Sequence, residues 1–516
     1  MQRQAIVIGT GAGGLTAAAY LAKEGFDVTA LEQAPHLGGL LAGFVREGFY
    51  FDPGVHYIGG CGPGGLVRNV LEPLGVNCDE SFVEIDPDGY DVLRFPDQEV
   101  RVCKGVAEFR ARLSATFPEH DLEVCDFMSL LGTMRDLSHV ADPQGHPSLL
   151  TLGINLPSLL RWARASYAEL LDHLISEPRL RSILSAAVGD EALPPSEASA
   201  LYTLMFLAHY TDGAYFPRGG SCALRDELVA RAKGFGVKFV TDTRVRAIVA
   251  EGGRAKRVET DEGESYAADF VVSDLDPRTT VAMLSGTEIP RKMRKKLEHA
   301  RSSSAPFLLF LGIQGDLAAR GLPQGNVWSY PSWDVEACYA AVRQGKIPDD
   351  PMLFLSSPSL KEGSGTLAPP GAHSLEILTF VPYSAFAPYI HLREDVRGPE
   401  YVAIKKLIEQ RMLDAVGRRF PGLLENTLFC QAATPITFQS WVGLVDGGAY
   451  GPAETPDFWG PFRFETRSWL PNLFFAGAGA LGHGVAPSLL SGKLAAIAVE
   501  RATHGSLAAK IGSTVF

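Results

Sequence analysis

Residues 5 to 14 read Ala5-Ile6-Val7-Ile8-Gly9-Thr10-Gly11-Ala12-Gly13-Gly14. The apolar run has the length and continuity of a strand buried on both faces, and it ends on glycine. Leu15 to Lys23 is Ala-rich and unbroken, which predicts a helix; Gly25 stops it, and Asp27-Val28-Thr29-Ala30-Leu31 predicts a second strand ending at Glu32. This order opens a doubly wound α/β domain, and the glycine spacing has a chemical reason. Gly9 permits the tight turn, Gly11 lets the backbone approach a pyrophosphate, and Gly14 lets the helix pack close to the strand. The helix amino terminus then offers N–H groups and a partial positive charge to the phosphates. Glu32, 23 positions after Gly9, is placed to accept hydrogen bonds from a ribose diol. A bound dinucleotide is the implication.

Gly477-Ala478-Gly479-Ala480-Leu481-Gly482 repeats the glycine pattern, but only 34 residues follow it, with no second strand ending in an acid. A separate dinucleotide fold cannot be built there. The 516 residues suggest two or three domains, and 46% hydrophobic with 21% charged residues fits a globular protein with a large core. Lys plus Arg is 47 against 59 Asp plus Glu, a net charge of −12, so no nucleic-acid partner is expected. The seven cysteines are never closer than 17 residues and the histidines lack a metal-ligand spacing, so neither thiol redox chemistry nor a metal is expected. The opening Met1-Gln2-Arg3-Gln4 carries no export signal and no uncharged apolar run reaches about 18 residues. A cytoplasmic protein is expected, with contact to a membrane surface left open.

Gly38-Gly39 stands six residues beyond Glu32, and Phe51-Asp52-Pro53-Gly54-Val55-His56-Tyr57-Ile58-Gly59-Gly60 follows. With these residues the chain resembles the FAD-dependent superfamily of phytoene desaturases, carotenoid isomerases, retinol saturases and, more distantly, amine oxidases. The run from Phe51 to Gly60 is most similar to retinol saturases, Tyr450-Gly451-Pro452 resembles carotenoid isomerases, and Asn472 to Gly477 resembles the superfamily's last strand. The resemblance implies a Rossmann-type, glutathione-reductase-like FAD-binding domain interleaved with an α+β substrate domain. The expected order is FAD-binding 1–100, a helical substrate or membrane-facing part 101–210, FAD-binding 211–280, substrate sheet and helices 281–445, and FAD-binding 446–516. It further implies non-covalent FAD held by Gly9, Gly11, Ala12, Gly13, Gly14, Glu32, Gln33, Gly38, Gly39, Leu40, Val55, His56, Val245, Gly477, Gly484 and Val485. The second glycine pattern then resembles the turn that brings a helix amino terminus to the flavin ring.

Between these motifs, Gly219-Gly220-Ser221 opens a predicted helix to about Gly234. Pro306–Ile313, Met352–Ser356 and Ser374–Val381 are strand-type apolar runs that could floor a hydrophobic pocket against the flavin. Pro147 to Leu184 mixes Leu, Ile and Trp with Arg161, Arg164, Arg179 and Arg181, a pattern that fits either core helices or a membrane-lying surface. His56, Tyr57 and His483 are the candidate catalytic groups, with a structured turn as the alternative role for the first two. The expected activity is saturation, desaturation or cis/trans isomerisation of an apolar polyene or isoprenoid lipid. An amine or amino-acid oxidase and a non-catalytic lipid escort of the same fold are the alternatives. No NAD domain is present to deliver hydride, so the electron donor or acceptor is left unknown.

Overall fold

The computed structural model describes residues 3–140, 160–393 and 396–503. The amino-terminal reading holds: β1 (Gln4–Ile8), α1 (Ala12–Lys23) and β2 (Asp27–Leu31) follow one another as expected. They are joined by β3 (Lys238–Val240), β4 (Phe270–Ser273) and β5 (Leu473–Phe475), and the five form a parallel sheet in the order β3-β2-β1-β4-β5. Segments from the start, middle and end of the chain thus build one layer. All four apolar residues of β1, Ala5 to Ile8, are buried, as a strand covered on both faces requires. The carboxy-terminal helix α2 (Val485–Thr503) packs on α1. Gly492 permits this, since a Cβ there would lie 2.2 Å from the Gly13 carbonyl.

A seven-stranded mixed sheet forms the second body, in the order Thr427–Ala433, Ala305–Gln314, Ala372–Val381, Leu353–Ser356, Asn326–Ser329, Asp91–Phe95, Gln98–Val102. The three apolar runs expected to share a sheet do so: Ala305–Gln314 pairs along its whole length with Ala372–Val381, which pairs with Leu353–Ser356. Asp91–Phe95 and Gln98–Val102 correct the expected boundary at residue 100. They close the substrate sheet rather than the FAD-binding one, with Asp91–Phe95 running parallel to Asn326–Ser329. Leu93, Phe95 and Val100 are buried against the helical core, which is what draws the hairpin to this body.

Residues 147–159 of the amphipathic segment, Leu159 among them, lie outside the described residues. The remainder forms core helices: Tyr167–Leu174 and Pro178–Ala186 bury Tyr167, Leu170, Leu171, Leu180 and Ile183. Trp162 is buried in the same core, so it is not a membrane-facing residue. Among the described residues, no helix is long and apolar enough to cross a membrane.

Candidate active site

A cavity of about 840 Å³ runs between the two bodies. Its walls include Gly9, Gly11, Ala12 and Gly13, then Glu32 and Gln33, Gly39 and Leu40, Val55, Val245, and Gly477, Gly484 and Val485. Three residues expected to hold the cofactor lie off this surface. Gly14 is buried where α1 meets β1, Gly38 donates its N–H to Thr10 Oγ1 at 3.2 Å, and His56 lines a smaller chamber next door.

The walls suit a dinucleotide. Gly11 caps α1 without any side chain, and no acidic residue stands in the helix's first turn, so the positive end of the helix faces the cavity. A Cβ at Gly13 would lie 2.5 Å from the Gly477 nitrogen, so the amino-terminal and carboxy-terminal turns touch backbone to backbone. Glu32 is buried but for its face on the cavity. Its Oε2 accepts hydrogen bonds from Thr10 N (3.0 Å) and Thr10 Oγ1 (2.6 Å), and its Oε1 accepts one from Ala34 N (3.0 Å). A carboxylate offers about four lone-pair sites, so capacity remains for a ribose hydroxyl. Glu32→Ala should therefore weaken flavin retention by about 1.5–3 kcal/mol, read as a rise in Kd by fluorescence titration. Unchanged affinity would remove Glu32 from the site.

Asp274, at the end of β4, went unnoticed in the sequence. Its carboxyl accepts hydrogen bonds from the Gly11 and Gly14 amides and lies 2.4 Å from where a Gly477 Cβ would stand, so it ties the two glycine turns together. Burial, with Glu32 adding, pushes its pKa up to about 7. Its signal in the sequence is an acid directly after the strand-like run Phe270-Val271-Val272-Ser273.

The smaller chamber, about 50 Å³, shares Leu40, Pro53, Gly54, Phe438 and Tyr450 with the cavity as walls. The Asp52–Gly60 loop reaches it because Asp52 is buried and pinned from two sides. Asp52 accepts hydrogen bonds from Tyr50 OH (2.7 Å), Ser221 N (3.1 Å) and Ser221 Oγ, while its own N–H donates to Glu376 Oε1 (2.6 Å). His56 sits on the chamber wall with Nδ1 2.9 Å from Glu376 Oε2. Burial, reinforced by Lys361, lowers the His56 pKa to about 4, and burial raises that of Glu376 to about 8. Burial thus disfavours charge on both members of this hydrogen-bonded pair.

Below the loop, the buried Lys361 Nζ donates to the His56 carbonyl (2.7 Å), to Ser356 Oγ (2.6 Å) and to Asn326 Oδ1. Tyr57 points away from the cavities; its hydroxyl donates to Asp91 Oδ2 at 3.2 Å and its ring stacks on Tyr210 at 4.4 Å. His483 lines neither cavity. Its ring stacks on Tyr450 at 4.8 Å, Nε2–H donates to the Pro452 carbonyl at 2.9 Å, and its backbone N–H donates to Tyr202 OH at 2.7 Å. Burial lowers its pKa to about 3, so it backs Tyr450 as a neutral ring. Among the described residues, no group of three or more His, Cys, Asp or Glu is placed to hold a metal.

This geometry has counterparts. The chain is 25% identical to an all-trans-retinol 13,14-reductase of Danio rerio over 94% of its length and 84% of that protein's. It is 26% identical to a zeta-carotene-forming phytoene desaturase of Myxococcus xanthus over 95% and 93%. In fold it resembles the cyclohexylamine oxidase of Brevibacterium oxydans, with a TM-score of 0.62, 16% identity and coverage of 98% and 100% of the two chains. The sequence profile of the flavin-containing amine oxidoreductases matches residues 12–308, more than half of the chain. The dinucleotide cradle and that match agree: the protein is an FAD-dependent oxidoreductase and belongs to the flavin-containing amine oxidoreductase family.

Proposed function

We propose that the protein acts on a carbon–carbon double bond of a long apolar polyene or isoprenoid, of retinoid or carotenoid type. The observation that carries this reading is the wall of the inner chamber. Leu308, Trp328, Phe354, Leu378, Phe380 and Phe438 make it aliphatic and aromatic, and its histidine is held neutral by burial. An ammonium substrate would lose its hydration against the aliphatic and aromatic side chains that make up most of this wall. Relatives named for retinol reduction and phytoene desaturation, 25–26% identical along nearly the whole chain, support the same reading, whereas the solved cyclohexylamine oxidase is only 16% identical.

Bound FAD supplies the two-electron chemistry. The chain's own part is to hold a planar alkene between the Pro53–Gly54 turn and Tyr450, to exclude water with the aromatic wall, and to hold polar groups at the chamber's edge. Tyr450 is kept in place by the ring of His483 behind it. Gly9, Gly11, Gly14 and Glu32 all stand intact, which favours a flavoenzyme over a lipid carrier. Substrate uptake from a membrane surface fits the exposed Leu160, 63% accessible, with Arg161 beside it and Arg164 4.5 Å over the Phe462 ring.

Mass spectrometry of small molecules extracted from the purified protein tests the substrate class: a long unsaturated lipid is expected. Recovery of polar amines alone would overturn the proposal. Flavin attachment is expected to be non-covalent, because Cys430, the last cysteine, lies on the substrate sheet and off the cavity wall. Acid precipitation should leave the flavin in the supernatant, and a yellow pellet would show the opposite.

A further inference from the structure

We propose that Asp190 is the protonic partner of the redox step, giving a proton to the alkene carbon next to the one that receives hydride. The inference rests on the substrate reading above and names the residue that completes it.

Three polar side chains on the chamber wall keep accessible surface: His56, Asp190 and Tyr450. Asp190 is the acid among them. It is the penultimate residue of a tight helical turn, Ala187–Glu191, that lies directly on Trp328; a Cβ at Gly189 would come within 2.4 Å of that indole. The small residue lets the turn press against the wall and delivers the carboxyl to the chamber. Asp190 Oδ1 accepts a hydrogen bond from Tyr450 OH at 3.4 Å, and the Tyr57 hydroxyl is also within its reach. Tyr450 is a wall of both cavities, so the acid stands one side chain from the flavin-binding space.

Behind it is a path for the proton. Tyr57 bridges Asp190 and the fully buried Asp91, whose other oxygen accepts from Asn326 Nδ2 at 3.2 Å. Burial raises the Asp91 pKa to about 8, which favours the neutral acid; in that form the 3.2 Å hydrogen bond reverses, Asp91 donating to the Tyr57 hydroxyl, which can in turn donate toward Asp190. Burial also raises the Asp190 pKa to about 6, with His56 pulling the other way; an apolar substrate that displaces chamber water raises it further. The groups facing Asp190 from the surrounding elements are His56, Tyr57, Asp91, Glu191, Tyr202, Tyr210, Lys361 and Tyr450, of which Lys361 is the cation.

In the saturating direction the alkene accepts a hydride from reduced flavin at one carbon and the Asp190 proton at the neighbouring carbon. The π pair becomes the second C–H bond. The flavin is left oxidised and Asp190 is left as a carboxylate that Asp91 reprotonates through Tyr57. Dithionite, or a reduced nicotinamide, restores the reduced flavin. Run backwards, the same carboxylate removes the proton during desaturation.

The test uses dithionite-reduced holoenzyme and retinol or phytoene in phosphatidylcholine vesicles. Asp190→Asn preserves the shape and removes the acid. Its flavin content should match wild type, while hydrogenation should fall by about 10²–10⁴-fold, the usual worth of a general acid. Wild-type turnover should decline as pH rises through the titration of Asp190, and Asp190→Glu should regain both activity and that pH profile. A readout without turnover is the infrared difference spectrum of the oxidised holoenzyme between low and high pH. Asp91, Glu376 and Asp274 are buried acids too, so the readout is the carbonyl component that titrates with Asp190, which is expected to be missing from the spectrum of Asp190→Asn. Wild-type rates in Asp190→Asn, or an unchanged infrared band, overturn the proposal alone. A wild-type enzyme inactive on every polyene overturns the substrate reading and this step with it.

Discussion

A Gly13→Val protein is expected to purify colourless. The sequence pattern singles out Gly11 as the glycine whose enlargement would block the pyrophosphate; among the protein's own atoms, a Cβ at Gly11 would meet the tip of Asp274, at 2.6 Å. That carboxyl can rotate away. At Gly13 the Cβ meets the backbone of Gly477 at 2.5 Å and 2.7 Å, as well as Asp274 Oδ1 at 2.5 Å, and backbone cannot step aside. The two glycine turns must separate, and with them the walls of the cofactor cavity. Flavin occupancy should drop at least tenfold, equivalent to about 1.4 kcal/mol or more of lost binding. Far-ultraviolet circular dichroism should stay close to wild type, since the clash lies between two turns at the sheet's edge. Full flavin occupancy in this variant would contradict the assignment of the cavity.

Arg463→Met should be the most destabilising substitution near the Gly477–Gly482 turn. Arg463 and Glu454 are 3% and 0% exposed and form a buried ion pair, and Arg463 Nη2 also donates to the Ala478 carbonyl at 2.8 Å. Removing the cation strands a buried carboxylate, which costs about 3–5 kcal/mol. Adding Glu454→Gln to the same chain removes the stranded charge and should recover a large part of the loss. Chemical denaturation of the single and double variants checks this. If the double variant is no more stable than Arg463→Met alone, the pair is not what holds the turn.

What could be read from the sequence was local. The Gln4–Leu31 unit, Glu32 and the helix after Gly220 are each specified by residues a few positions apart, so glycine punctuation and apolar runs suffice to place them. The substrate sheet strands were visible as apolar runs for the same reason. Asp91–Phe95 was put with the wrong sheet because its partner, Asn326–Ser329, lies far down the chain and an apolar strand reads alike in either sheet. The ionisable groups around His56 could not be read for a related reason. Asp190, Lys361 and Glu376 are single residues from three separate segments that only long-range packing brings around His56, and the same holds for Asp274 between the two glycine turns. Of the three around His56, Glu376 left a trace, as one charge inside the apolar run Ser374–Val381. Buried on a central strand, it had to be paired or neutral, and the hydrogen bonds with His56 and Asp52 N are the outcome.

The central claim is that an FAD-dependent oxidoreductase with the fold of amine oxidases has a chamber built for apolar alkenes. The most direct test mixes purified holoenzyme anaerobically with each substrate class and follows both the flavin absorbance and the products. Oxidised enzyme is expected to keep its yellow spectrum with primary amines and amino acids, and dithionite-reduced enzyme is expected to convert a retinoid or carotenoid in liposomes to a saturated or geometrically isomerised product. Rapid bleaching of the flavin by amines, with every polyene returned unchanged, would contradict it.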